Sequence, residues 1–135
     1  FEDLDEMITV EYGLSINEIF SKHGEATFRN AESNALTSSS GNVISCGGGI
    51  ILDKKNREYI NKGLSFFLNV NLAELEKRLK HQNSRPLLDS NNLKNTISSI
   101  WEKREKMYIQ TANHVININS QPPIEIVQTI LGYIK

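Results

Sequence analysis

The feature that most limits what this chain can fold into is an alternation of three short apolar runs with longer helical patterns. The runs are Val43-Ile44-Ser45-Cys46, Leu64-Ser65-Phe66-Phe67-Leu68 and His114-Val115-Ile116-Asn117-Ile118. The second is nearly continuous in apolar character, which suits a strand buried on both faces of a parallel sheet. Asn71 is placed to cap a helix in which Leu72, Leu75 and Leu79 share one face. Ile97, Ile100 and Trp101 mark the inner face of a helix from about Asn92 to Thr111. Pro122 and Pro123 suit a first helical turn, and Ile124, Val127, Ile130, Leu131 and Ile134 then form a stripe expected to be buried. Shorter helices are expected to begin at Ser15–Phe20 and to run over Glu25–Leu36, with a turn at Thr37–Gly41. Strands alternating with helices of this length predict βαβ units and an α/β fold, a doubly wound parallel sheet. The polar stretch Lys80–Asn92, with Pro86 inside it, reads as an exposed loop or flap.

The 135 residues suit one domain. A net charge of −1 with both signs interspersed lacks the basic stripe that nucleic-acid binding needs, so no nucleic-acid partner is expected. No apolar run approaches the ~18 residues of a membrane helix, and no membrane partner is expected. The lone Cys46 cannot form an internal disulfide, which points to a reducing compartment. His23, His81 and His114 have no metal-ligand spacing, so zinc is not expected.

Three groups of residues carry possible chemistry. Asp3 and Asp5 alternate at what reads as the end of a strand, so both carboxylates can share one face there. They could hold Mg²⁺ through water or accept hydrogen bonds from substrate hydroxyls; equally, with Glu2 and Glu6, they could be a solvated acidic stretch. Gly47-Gly48-Gly49 follows an apolar run directly. Its bare N–H groups could bind a carboxylate or phosphate, or the glycines could form a flexible turn. Arginine is scarce, at five residues, and Arg offers the planar fork that grips carboxylate or phosphate at two points. Arg29, Arg78, Arg85 and Arg104 are of interest, Arg85 beside Pro86 most of all, and Arg57 is the odd one out. Cys46 reads as packing, Ser38-Ser39-Ser40 as a turn, and Trp101 and Tyr108 as core or half-buried residues.

In order, the chain shows Asp3-Leu4-Asp5, Ser15-Ile16-Asn17-Glu18-Ile19-Phe20, Gly24-Glu25, Phe28-Arg29-Asn30-Ala31-Glu32, Gly47-Gly48-Gly49, Arg85-Pro86-Leu87-Leu88 and Arg104-x-x-x-Tyr108. This ordered set resembles the shikimate kinase family across essentially the whole chain. The resemblance implies a five-stranded parallel sheet of the nucleoside-monophosphate-kinase, or P-loop kinase, type. It implies transfer of the ATP γ-phosphoryl to the 3-hydroxyl of shikimate, on the route to chorismate and aromatic amino acids, with Mg²⁺ accompanying ATP. A cytoplasmic monomer is expected from the family's habit. One domain over 1–135 is expected, with a shikimate-binding region at about 5–49 and a lid at about 80–92.

Carried over residue by residue, Asp5 resembles the carboxylate that binds shikimate hydroxyls and orients or deprotonates the attacking one. Asp3 resembles the Mg²⁺-associated carboxylate. Arg29 and Arg104 match the pair that clamps the shikimate carboxylate, with Glu32 positioning Arg29. Gly47, Gly48 and Gly49 would line the same pocket, with Phe20 and Phe28 as its apolar walls. Arg85 resembles the lid arginine that reaches the transferring phosphate, and Arg78 and Pro123 fall where the family holds adenine. The family's phosphate loop, G-x-x-x-x-G-K-[ST], does not occur in the 135 residues. With its strand and helix it should occupy about 25–35 residues before Phe1. The expectation is an upstream segment lost by truncation, cleavage or disorder, and poor kinase activity in these residues alone. Two other readings remain: a catalytically inert relative that only binds, and a kinase of the same fold acting on another polyol acid such as gluconate.

Overall fold

The computed structural model describes residues 1–80 and 92–135, which group into two compact units. Residues 81–91, with Arg85 and most of the expected flap, lie outside the described residues.

Phe1–Tyr59 form the first unit. Its elements are β1 (Glu2–Asp3), α1 (Leu4–Tyr12), α2 (Ile16–His23), α3 (Glu25–Ser38), β2 (Ile44–Ser45) and a 3-10 turn (Gly48–Leu52), and α4 (Lys54–Ile60) begins within it. β1 and β2 pair in parallel, Glu2 opposite Ile44 and Asp3 opposite Ser45. Each helix starts or stops for a local reason. Asp3 caps α1 by accepting from the N–H groups of Asp5 and Glu6, and Gly13 ends it in the left-handed region at φ 64°, which glycine adopts without strain. Ser15 and Glu18 form a reciprocal capping box on α2. Helical spacing then turns Leu4 and Ile8 of α1, Ile19 of α2 and Phe28, Ala31, Ala35 and Leu36 of α3 inward, where they are buried with Ile50 and Ile51. Burying the leucine, isoleucine and phenylalanine side chains among these is worth about 1.5–3 kcal/mol each.

The second unit takes the described residues of Ile60–Gln82 and Asp89–Lys135. It holds β3 (Phe66–Val70), α5 (Leu72–Leu79), α6 (Leu93–Thr111), β4 (His114–Ile118) and α7 (Pro123–Ile134). β3 and β4 pair in parallel from Phe66 opposite His114 to Val70 opposite Ile118. Side chains on a strand alternate between its faces, and the rings follow suit. Phe67 stacks on Tyr108 of α6, at 4.7 Å between centroids, and on Trp101. Phe66 meets Tyr133 of α7. A parallel pair with helices on both faces is the doubly wound arrangement expected.

Several details differ from the sequence reading. The run expected as a strand over Leu64–Leu68 begins its ladder at Phe66 and continues to Val70. Ser65 is taken up instead by a knot with Asn113: its N–H and hydroxyl donate to Asn113 Oδ1, and its carbonyl accepts from Asn113 N–H. β3 is not buried on both faces, for Leu68 is exposed. No residue of α7 is buried, so the expected stripe lies largely open. A helical period shows which residues share a face and is silent about what covers it. The helix α3 continues to Ser38, past the turn expected from Thr37. Cys46, read as packing, is exposed. The strand expected to carry both Asp3 and Asp5 ends at Asp3, and Asp5 sits in the first turn of α1.

Candidate functional site

The first unit gathers a charged cluster around α3. Arg29 lies one turn after Glu25 and nearly one turn before Glu32, spacings that place all three on one helical face. One Arg29 Nη donates to Glu32 Oε2 at 2.7 Å, and Glu32 is almost wholly buried. The opposite edge reaches Glu25 Oε1 at 3.3–3.4 Å. The two arms are unequal. Glu25 is 49% exposed, so its ion pair is worth about 0–1 kcal/mol and exchanges easily for another carboxylate. Losing one partner of the buried arm would strand a charge, which is far costlier. The guanidinium also lies 5.4 Å from the Phe28 ring centre and 6.0 Å from that of Phe20, and the two rings meet at 4.9 Å. At these distances both rings attract the guanidinium through their π faces.

The glycine run closes the site from the other side. A Cβ added at Gly49 would run into the guanidinium of Arg29. One added at Gly47 would stand 3.3 Å from Glu32 Oε1 and 3.4 Å from Asp5 Oδ1. Gly49 is therefore what lets Arg29 approach so closely, and Gly47 marks where Asp5 and Glu32 converge. Gly48 and Gly49 open the 3-10 turn that continues through Leu52. A cavity of about 430 Å³ lies beside them, lined by Arg29, Glu32, Gly49, Leu52, Asp53, Lys54 and Asn56. Both signs of charge face it, so it can take a small anion that also carries hydroxyls.

Asp3 does not share a strand face with Asp5. Its Oδ1 accepts from Asp5 N–H at 2.9 Å and from Glu6 N–H at 3.4 Å, holding a carboxylate at the start of α1. Among the described residues no three His, Cys, Asp or Glu groups come together to hold a metal ion. Cys46 also feels this acidic setting. Partial desolvation, then Glu32, Asp3 and Asp5, push its thiol up to about 11.

The remaining candidates stand in the second unit. Arg104 lies on α6, three residues after Trp101 and four before Tyr108, whose rings lie against Phe67 and orient that helix. Arg78, on α5, donates to Glu74 Oε1 at 2.8 Å. Pro123 opens α7. Arg85 lies outside the described residues. The sequence reading missed Asp53, Lys54 and Asn56 as cavity residues; the signal available was their place one turn beyond the glycines. No helix among the described residues is long and apolar enough to cross a membrane.

Comparison with known proteins supports the same grouping. A family model described as shikimate kinase matches residues 1–135. A shikimate kinase of Microcystis aeruginosa is 38% identical over 134 residues, covering 97% of this chain and 70% of that protein. One of Streptococcus gordonii is 35% identical over 136 residues, covering 96% of this chain and 84% of its own length. Among solved structures, a shikimate kinase from Acinetobacter baumannii in complex with shikimate superposes with a TM-score of 0.94 at 30% identity, covering 99% of this chain and 77% of that one.

Proposed function

The chain belongs to the shikimate kinase family, and on that footing we propose that it serves ATP-dependent phosphorylation of the 3-hydroxyl of shikimate. The observation that carries this reading is Arg29, held by the buried Glu32, flanked by two phenyl rings and pressed on Gly49. Such a guanidinium is prepared for a carboxylate. An incoming ligand displaces only the exposed Glu25 arm, while Glu32 keeps the fork in place. Asp5, converging with Glu32 on Gly47, is assigned to the substrate hydroxyls, where it orients the attacking oxygen and accepts its proton. Phe20 and Phe28 wall the ring of the substrate. Gly48 and Gly49 let the main chain come close to it. By resemblance, Arg104 is a further ligand of the substrate carboxylate, Arg78 and Pro123 belong with adenine, and Arg85 belongs with the transferring phosphate.

Asp3 suits a magnesium ion that travels with ATP. Mg²⁺ keeps much of its water and takes one or two protein carboxylates beside phosphate oxygens, so one capped carboxylate is a fitting donor set. The ion would supply charge neutralisation at the phosphates. As the attacking oxygen bonds to the γ-phosphorus, the bond to the β-phosphate oxygen breaks, and the hydroxyl proton leaves for Asp5.

The test is steady-state kinetics of the full-length protein and its Arg29→Ala variant. Loss of shikimate phosphorylation with the melting temperature kept is the expected result. Full activity in Arg29→Ala would overturn the assignment. Shikimate binding without turnover in the unaltered protein would favour a catalytically inert relative, and turnover of another polyol acid such as gluconate would move the substrate.

A further inference from the structure

Arg57 is the arginine that the site described above does not use. It follows Asn56 in α4, and both side chains reach back over the turn after the glycines. Asn56 is 4% exposed, and its Nδ2 donates to the Ile50 carbonyl at 3.1 Å. One Nη of Arg57 donates to the Ile51 carbonyl at 2.5 Å and to the Leu52 carbonyl at 3.2 Å. Three successive carbonyls therefore accept from two neighbouring side chains. Asp53 fixes the start of α4 by accepting from Lys55 N–H at 2.8 Å, so both braces rise from an anchored helix.

This bracing acts on a segment with little stiffness of its own. A 3-10 turn has poor hydrogen-bond geometry, and the Ile50 N–H reaches the Gly47 carbonyl at 3.2 Å. The three glycines at its start offer no side chains to lock their conformation. Yet the near end of the turn must hold Gly49 against Arg29, where there is no room for even a Cβ. Asn56 lines the same cavity as Arg29 and Gly49.

We infer that Asn56 and Arg57 are positioning residues for the substrate-carboxylate site: by gripping the carbonyls of Ile50, Ile51 and Leu52 they set Gly49 against Arg29. The inference rests on the shikimate reading above. It separates the two sides of the site. Glu32 and the phenyl rings fix the guanidinium, and the Asn56–Arg57 pair fixes the floor on which it lies.

Arg57→Met and Arg57→Lys in the full-length protein test this, with calorimetric affinity for shikimate, KM for shikimate and for ATP, and melting temperature as readouts. Arg57→Met is expected to weaken shikimate binding and raise its KM by about 10- to 100-fold, as misplacement at a binding site does, while KM for ATP stays put. Arg57→Lys, which keeps a donor within reach of a carbonyl, is expected to recover part of the loss. A lowered melting temperature with unchanged shikimate affinity in the folded protein overturns the inference and shows a structural role only. If Arg57→Met does not fold, Asn56→Ser and Arg57→Lys decide by the same affinity: weakened binding supports the pair, and binding equal to the parent's overturns it. Failure of the parent itself to bind shikimate removes the functional reading and this inference together, a result distinct from unchanged affinity in the variants.

Discussion

In Phe1–Tyr59, three helices close over Leu4, Ile8 and Ile19, each at or below 1% exposed, whereas in the unit that begins at Ile60 the helix α7 buries none of its residues. The charged residues follow the same division. Glu32 is buried to 3% and Arg29 is locked among carboxylates, rings and a glycine. Arg78 of the second unit is 46% exposed and held by one surface ion pair. Exact placement of a charge needs a rigid frame, because a side chain in water loses rotamer entropy for each contact it keeps. The first unit supplies such a frame, and the second carries its arginines on helices with open faces. The contrast teaches that the site's precision comes from α3 being both the most buried helix of its unit and the carrier of the guanidinium.

That contrast can be broken by substitution. Ile19→Ala removes a fully buried side chain and is expected to cost about 2–5 kcal/mol in chemical denaturation. Leu131→Ala, on the open stripe of α7 at 50% exposure, is expected to cost less than about 0.5 kcal/mol. Equal costs would mean that α7 is covered in solution and that the contrast does not hold. A smaller effect on stability but a sharp one on binding is expected for Gly49→Ala. The added methyl meets the Arg29 guanidinium at the nitrogen that holds Glu32, so Arg29 must shift and its pair with the buried carboxylate is strained. Calorimetry should then show shikimate affinity reduced by about tenfold or more, with the melting temperature lowered but the protein still folded.

Cys46 reports the electrostatics of the first unit. Its thiol is pushed up to about 11 from an ordinary value of 9.0, by desolvation first and by Glu32, Asp3 and Asp5 after it. A raised thiol value favours the protonated form, so this contribution to stability is fully present below pH 9.0 and is lost as pH rises through about 11. The alkylation rate of Cys46 by iodoacetamide should therefore inflect well above the ordinary range, and Glu32→Gln should bring the inflection down. An ordinary inflection in the parent protein would contradict the acidic setting described for the site.

Much of this was legible in the sequence where a residue has one local job. Ser15 and Asn71 cap α2 and α5 as their side chains suggest, and Pro122–Pro123 opens α7. The His114–Ile118 run is β4 without adjustment. Asp3 does end a strand, but Asp5 falls in the first turn of α1; two alternating carboxylates look like a longer strand end. The D-x-x-E pattern from Asp3 to Glu6 was the competing signal, and as a helix start it matches the cap observed. Periodicity marked the stripe of α7 correctly as one face, but burial depends on partners far away in sequence. Asn56 draws no attention in the sequence, and Arg57 stands there as the odd one out, for a similar reason. Their targets are main-chain carbonyls, which leave no trace in residue identity. Motifs reveal side chains that meet ligands more readily than those that hold the backbone in place.

Titration of the full-length protein with shikimate and with its methyl ester asks whether Arg29 of the Phe1–Tyr59 unit grips a ligand carboxylate. The ester keeps the ring and hydroxyls but removes the charge that the guanidinium fork would grip. The expected result is that the acid binds at least about tenfold more tightly than the ester, the scale of a charge-assisted hydrogen-bond pair. Equal affinities for the two, or no binding of either, would contradict it.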